Sequence, residues 1–248
     1  MALMRKAYEE KHHQAEAKHW FLSARRDLIK GFLRKEKRDI AILEVGCSSG
    51  VLVGELQEVG FENTHGLDIS PKAVDLARSR GIAAVRVTDG RNFDFPDCYF
   101  DYVVSSDVLE HIENEHEALD EWCRVLKSEG KLVIMVPAFQ FLWSDHDVAN
   151  NHFRRYTKRS LSAVLARHRL KIVRATYWNF FLFGVAVAVR SFSKIIPHAK
   201  DRSPEGRLYQ FGKAVDGALK MFLRIENTLI AHGINFPFGV SVVVIAEK

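Results

Sequence analysis

The sequence predicts an α/β protein: a doubly wound, mainly parallel seven-stranded sheet, with an N-terminal helical segment and a helical insertion between strands six and seven. Three observations lead there. Short apolar runs alternate five times with helical patterns between residues 40 and 137, the order expected of a parallel sheet with helices on both faces. The first run ends in a turn of small residues, Gly46-Cys47-Ser48-Ser49-Gly50, that opens a helix. The chain has 248 residues, 47% of them hydrophobic, enough for one substantial core.

Residues 1–38 read as helix, with Trp20, Phe21, Leu28, Ile29, Phe32 and Leu33 at helical spacing. Ile40 to Val45 is a buried first strand, and Val51 to Val59 a helix. Thr64 to Ile69 is the second strand. Ser70-Pro71 then starts a helix, Ser as N-cap and Pro at the first helical position. Ala83 to Val87 and Tyr102 to Ser105 are strands three and four. Glu115 to Lys127 is helix, and Lys131 to Val136 a fifth strand stopped by Pro137. Phe139 to Tyr156 reads as a loop. Thr157 caps a helix through His168, Lys171 to Trp178 is strand six, and Val240 to Ala246 strand seven. The insertion contains an amphipathic pattern with Leu208, Phe211, Val215, Leu219, Phe222 and Leu223 on one side. The expected units are an N-terminal lid (1–38), a main domain (39–178 with 239–248) and a helical cap or interface (179–238).

Charge is uneven. Lys and Arg exceed Asp and Glu by 6 in residues 1–38 and by 12 in residues 151–248, whereas residues 39–150 carry an acidic excess of 13. The basic ends read either as solvated trim or as contacts for an anionic partner. Cys47, Cys98 and Cys123 are odd in number and far apart, which favours a reducing compartment over a disulfide framework. No signal-peptide core is visible at the start. The uncharged run Ala175 to Val189 is shorter than the roughly 20 residues that cross a bilayer. The expectation is a cytoplasmic chain, with peripheral membrane contact left open.

A strand, small-residue turn and helix form a cofactor cradle, since small residues let the backbone approach a ligand and the helix start presents free N–H groups. Three readings fit the turn. A dinucleotide fingerprint needs glycine at positions held here by Ser48 and Val51. A nucleophile elbow is spelled by Gly46-Cys47-Ser48-Ser49-Gly50, with Ser48 as nucleophile, but stands on the first strand with no preceding oxyanion-hole strand. The third reading rests on a family resemblance carried by further motifs, among them Asp68 at the end of the next strand.

The match to the third reading extends beyond the turn. Ile42 to Gly50, His65-Gly66-Leu67-Asp68-Ile69-Ser70, Asp89-Gly90-Arg91, Phe100 to Ile112, and Leu126 to Leu132 resemble, in order, the motifs of class I S-adenosylmethionine (SAM)-dependent methyltransferases. The resemblance covers about residues 39–178 and 239–248. It implies SAM as cofactor, held by Glu44, Gly46, Cys47, Ser48, Gly50, Asp68, Ile69, Asp89, Gly90, Ser106 and Asp107. Ser48 replaces the middle glycine of the usual turn, and a serine fits there if its φ is negative. The N-terminal His19-Trp20-Phe21 with the later His152-Phe153-Arg154-Arg155-Tyr156 also resembles, loosely, a subgroup linked to cell-surface glycan and lipid pathways.

Methyl transfer from SAM is an in-line displacement, so the protein mainly aligns the reactants. A base is needed where the acceptor loses a proton. His111, after strand four, and His146 and His152, after strand five, are the candidate bases. Trp20, Arg154, Arg155 and Tyr156 are the candidate acceptor contacts, an arginine clamping an anionic group. The spacings form no recognised metal-ligand set, so no metal is assigned. The expected reaction is O-methylation of a small-molecule or lipid-linked acceptor, with nucleic acid an unfavoured partner. A serine hydrolase using Ser48 and a SAM-binding protein without catalysis are the alternatives.

Overall fold

The computed structural model describes residues 16–188 and 212–248. Seven strands form one sheet: β1 (Ile42–Val45), β2 (Thr64–Asp68), β3 (Val85–Val87), β4 (Phe100–Ser106), β5 (Leu126–Pro137), β6 (Lys171–Trp178) and β7 (Ser241–Glu247). Their order is β3-β2-β1-β4-β5-β7-β6. Strands β1 to β5 pair in parallel, while β7 lies antiparallel between β5 and β6. The doubly wound seven-stranded prediction is met. The order reverses between β1 and β4, so their carboxyl ends flank the crevice where such sheets bind ligands.

Helices cover both faces: α1 (Trp20–Leu33), α2 (Val51–Glu58), α3 (Pro71–Ser79), α4 (Glu115–Val125), α5 (Asp145–Ala149), α6 (Lys158–Arg167) and α7 (Lys213–Ala231). Alternation along each strand divides the core. Leu43, Val45, Val103, Leu132 and Ile134 point to a cluster with Trp122 of α4 and Leu161 of α6. Ile42, Tyr102, Val104 and Val133 point the other way, to Ile29 and Leu33 of α1 and Leu52 and Leu56 of α2. Further along that second face, Met135, Trp178 and Val243 meet Ala24 and Leu28 of α1 and Leu223 and Ile230 of α7. Ser70 caps α3, accepting from the Ala73 N–H at 3.2 Å, and Thr157 caps α6 through a reciprocal pair with Ser160, both as the sequence predicts.

Four expectations change. Strand β5 begins at Leu126, which pairs with Phe100, so α4 ends earlier than predicted. Among the described residues the N-terminal segment is not one continuous helix: α1 spans Trp20–Leu33 after a turn at 16–18, and residues 1–15 lie outside the described residues. The supposed loop 139–156 contains a 3-10 turn and α5. Ser144 there caps α5 with Asp147, Oδ2 accepting from the Ser144 N–H at 2.9 Å.

The fourth change concerns α7. Leu208 and Phe211 lie outside the described residues, and Val215 and Phe222 are exposed, while Leu223, Glu226, Asn227 and Ile230 are buried. The inward face includes two polar residues, each hydrogen-bonded, so apolar spacing alone points to the neighbouring face. Asn227 donates to the Ala24 carbonyl at 2.7 Å and accepts from Trp178 Nε1 at 2.8 Å. Glu226 accepts from the Phe180 N–H. Helix α7 thereby ties the exit of β6 to α1.

Candidate functional site

The ends of β1, β2 and β4 converge on the glycine turn. Gly46 and Cys47 both donate to the Leu67 carbonyl. Gly46 has φ +78°, and a Cβ there would stand 2.2 Å from Val108 Cγ2, so both conformation and space require glycine. Asp68 closes the turn: Oδ2 accepts from the Ser48 N–H at 2.7 Å and Oδ1 from the Ser70 N–H at 2.9 Å. Ser48 itself has φ +51°. The condition of a negative φ is therefore not met. Ser48 takes the left-handed conformation that glycine adopts more readily, at a cost of about 1–2 kcal/mol, with its N–H on Asp68 and its hydroxyl on Glu16.

Glu16 is a contact that sequence reasoning missed. One oxygen of its carboxylate accepts from Ser48 Oγ at 2.9 Å, from the Ser49 N–H at 3.1 Å and from Ser49 Oγ. Arg26 holds this segment by donating to the Glu16 and Ala17 carbonyls and to Glu55. An anion at the start of α2 is favoured by the N–H groups there. Nothing in the sequence signals it, because Glu16 lies before α1 and far from any motif.

Glu44 is buried beneath the turn, and its Oε2 has no hydrogen-bond partner. Burial pushes its carboxyl up to about 8, helped by the Glu16 charge. An orphaned acidic oxygen beside a glycine turn fits a cofactor that carries an ammonium group. Cys47 is different: its thiol lies in the core with Val53, Val74 and Val85, burial raises its pKa, and only its backbone borders the turn. Gly50 has φ +71° and faces Ala77, Val85 and Ile82, a helix-contact role. Ile69 follows Asp68 and is half-buried. Asp89 lies just past β3, half-exposed and paired with Arg91. Gly90 has φ +82°, and its carbonyl accepts from Trp122 Nε1 at 3.0 Å.

At the end of β4, Ser106 Oγ is buried without a partner, and Asp107, at φ +54°, forms an ion pair with Arg25 of α1. Arg25 and Arg26 are thus both engaged within the fold. A 3-10 turn, Leu109–His111, follows. Glu110 is fully buried, and both its carboxylate oxygens lack partners. Burial, with the Asp107 charge, raises its pKa well above the ordinary range. Burial pushes His111 down to about 3, with His152 adding to the effect, so His111 is neutral at physiological pH.

The structure brings His111 and His152 together, ring centroids 4.5 Å apart and nearly perpendicular, with His146 farther out at 6.1 Å from His152. Asp147 organises this side. Its carboxylate accepts from Arg155 Nε and Nη2 at 2.7 and 2.9 Å, and Oδ1 lies 2.9 Å from His152 Nδ1. Burial opposes the charge on Asp147, but the bonds from His152 and Arg155 outweigh it and hold the carboxyl below its usual range.

Arg155 also donates to the Ala138 carbonyl. Its guanidinium is thus buried and engaged within the chain. Arg154 donates to the Glu113 carbonyl and pairs with Glu115. Tyr156 is buried and donates to the same Glu115. These two lie on the α4 side of the histidine cluster. Trp20 sits on α1 against Phe21, whose ring meets Trp178.

A family model described as a methyltransferase domain matches residues 43–134. Probable tRNA methyltransferase 9B of Bos taurus is 32% identical over 130 residues, 51% of this chain and 26% of that protein. The chain spans about a quarter of that relative's length. Among solved structures, a chain of the Haloferax volcanii complex between the Trm112 methyltransferase activator and a methyltransferase aligns with TM-score 0.63 and 17% identity, covering 97% of this chain and 94% of that one. Phosphoethanolamine N-methyltransferase 2 of Haemonchus contortus, in complex with S-adenosyl-L-methionine, aligns with TM-score 0.56 and 17% identity, over 90% and 52%.

The fold, with its strand order, is that of the class I SAM-dependent methyltransferases. The family match is to residues 43–134, and bound S-adenosyl-L-methionine is a property of the Haemonchus contortus structure. Nucleic acid as an unfavoured partner finds no support, because a relative is named for tRNA. No helix among the described residues is long and apolar enough to cross a membrane.

Proposed function

We propose that the chain is a SAM-dependent methyltransferase that methylates an oxygen of a small-molecule or lipid-linked acceptor seated at the ends of β4 and β5. The observation that carries this reading is the buried group at that place: His111 and His152 in ring contact beside Glu110, with Asp147 fixing His152. When bound, the cofactor supplies an electrophilic methyl group. Asp68 and the turn at Gly46 to Gly50 orient its nucleoside end, and Glu44 offers its buried oxygen to the ammonium. Strand ends β1 and β4 hold these groups rigidly, which favours the in-line geometry. Between His111 and His152, the second is placed to take a proton, because Asp147 fixes its ring through Nδ1 and leaves Nε2 for the acceptor. The Ser48 hydrolase loses ground, as its hydroxyl is engaged by Glu16.

The test is calorimetric SAM binding followed by transfer of a labelled methyl group across an acceptor panel. Asp68→Ala is expected to weaken SAM binding at least tenfold, and His152→Ala to abolish transfer while SAM still binds. Near-normal SAM affinity in Asp68→Ala sinks the cofactor assignment. SAM binding with no transfer to any acceptor leaves a binding protein without catalysis. A second reading has its own support in the tRNA-methyltransferase relative: an RNA acceptor met by the basic C-terminal part. Total tRNA therefore belongs in the panel.

A further inference from the structure

Glu110 and His111 stand on the 3-10 turn after β4, and His152 follows α5. The chain brings them together from 41 positions apart, and one ligand-capable atom from each lies within 4.8 Å of the other two. Donors around one cation at about 2.1 Å are themselves roughly 3–4 Å apart, so small side-chain shifts suffice to close on an ion. All three side chains are buried or nearly so.

The polar bookkeeping of the cluster is incomplete without a cation. Glu110 is fully enclosed, and neither of its oxygens has a side-chain hydrogen-bond partner. Its own backbone N–H acts on its charge, as do Arg25 and Arg155 without contacting it, and proteins avoid such an arrangement unless a group in contact compensates. Its neighbours across the cluster are two imidazoles. His152 Nδ1 is turned onto Asp147, which leaves Nε2 for the cluster, and the Asn150 backbone lies against His111 as an acceptor. Both rings therefore have an outer acceptor and an inner nitrogen. Asp147 in turn is held by Arg155 and by the Ser144 N–H. A carboxylate behind a histidine is the support that orients ligand imidazoles.

We propose that Glu110, His111 and His152 bind a divalent first-row transition cation, with Asp147 as the outer support of His152. Two nitrogens and one carboxylate suit zinc, manganese, iron or cobalt, and suit magnesium or calcium poorly, since those take oxygen donors. Three protein ligands leave coordination positions open. With the ion bound, His152 Nε2 is a ligand and no longer a base; the ion takes that part over by binding an acceptor oxygen and lowering its pKa. That last step rests on the methyltransferase reading, whereas the metal site does not.

The experiment uses the full chain, stripped with EDTA and titrated with CoCl2 under visible absorption, with metal content counted after dialysis against ZnCl2. One equivalent of either metal is expected, with cobalt bands of a site containing nitrogen ligands and no comparable uptake of MgCl2. Glu110→Gln, which keeps the shape of the side chain, and His152→Ala are each expected to weaken binding at least 100-fold, and Asp147→Asn about 10- to 100-fold. Circular dichroism separates loss of the site from loss of fold, and Glu110→Gln stands if His152→Ala does not fold. Failure of the wild-type chain to take up either metal stoichiometrically overturns the proposal. So does uptake that Glu110→Gln leaves unchanged, or magnesium uptake equal to that of cobalt. SAM affinity measured on the same samples keeps the two readings apart: metal uptake without SAM binding removes the cofactor reading alone.

Discussion

Gly46 and Glu44 stand two residues apart and fail in opposite ways when changed. Gly46→Ala adds a Cβ into Val108 at a left-handed φ. The conformational cost is about 1–2 kcal/mol and the overpacking about 1–3 kcal/mol. Chemical denaturation is expected to show a loss of at least about 2 kcal/mol, together with weaker SAM binding. Glu44 acts through its proton. Its carboxyl lies at about 8 in the folded chain against an ordinary 4.5. Between those values the folded chain binds more protons than the unfolded one, so stability falls as pH rises. The contribution is full below pH 4.5 and is lost as pH passes about 8. Melting curves of wild type and Glu44→Gln from pH 5 to 8.5 are expected to diverge, the variant being flatter; parallel curves refute the assignment. A cofactor ammonium beside Glu44 favours its charged form, so SAM binding at neutral pH is expected to release protons, measurable by calorimetry in buffers of differing ionisation enthalpy.

Two elements carry contacts that the sequence does not announce. Helix α5 exists because Ser144 and Asp147 cap it, and Asp147 also anchors Arg155 and His152. A polar, aromatic stretch conceals this, since its key pairings join residues on either side of a turn. Arg155→Met leaves the Asp147 charge buried with fewer partners and is expected to cost about 3–5 kcal/mol in denaturant unfolding. If Arg155 instead served an acceptor, the same change would alter KM and leave stability near wild type. Between α7 and α1, Asn227→Ala removes the bonds to Ala24 and Trp178. Trp178 Nε1 is then left buried and unpaired, since the Ala24 carbonyl still has its bond within α1, and a loss of about 1–3 kcal/mol is expected in the same assay.

Across the whole molecule, the sheet is the part that sequence shows most clearly. Leu132 to Val136 is an unbroken apolar run, and Ile42 to Val45 and Val103 to Ser105 are apolar but for Glu44 and Ser105, because buried parallel strands need apolar side chains on both faces. Asp68 and Asp107 stand out as acids ending such strands. What remains hidden depends on distant partners. Glu16 reaches Ser48 and Ser49 across more than thirty positions. Glu110 reads as an ordinary helix-start acid until the fold seals it against His152. The inward face of α7 is concealed by Glu226 and Asn227, whose polarity is offset only by groups on β6 and α1.

The antiparallel seat of β7 sets an order of events. Among the described residues, the one strand β6 pairs with is β7, and roughly 60 residues separate the two. A ribosome adding about 5–20 residues per second takes about 3–12 seconds to cover that interval. Through it β6 presents an open edge, with Ile172, Ala175 and Tyr177 lacking the strand they lie beside in the finished sheet. Until β7 arrives, β5 has an unpaired side as well. The nascent chain thus carries two unsatisfied strand edges that one late segment closes at once, and the interval before that closure is when it is most exposed to pairing with the wrong strand.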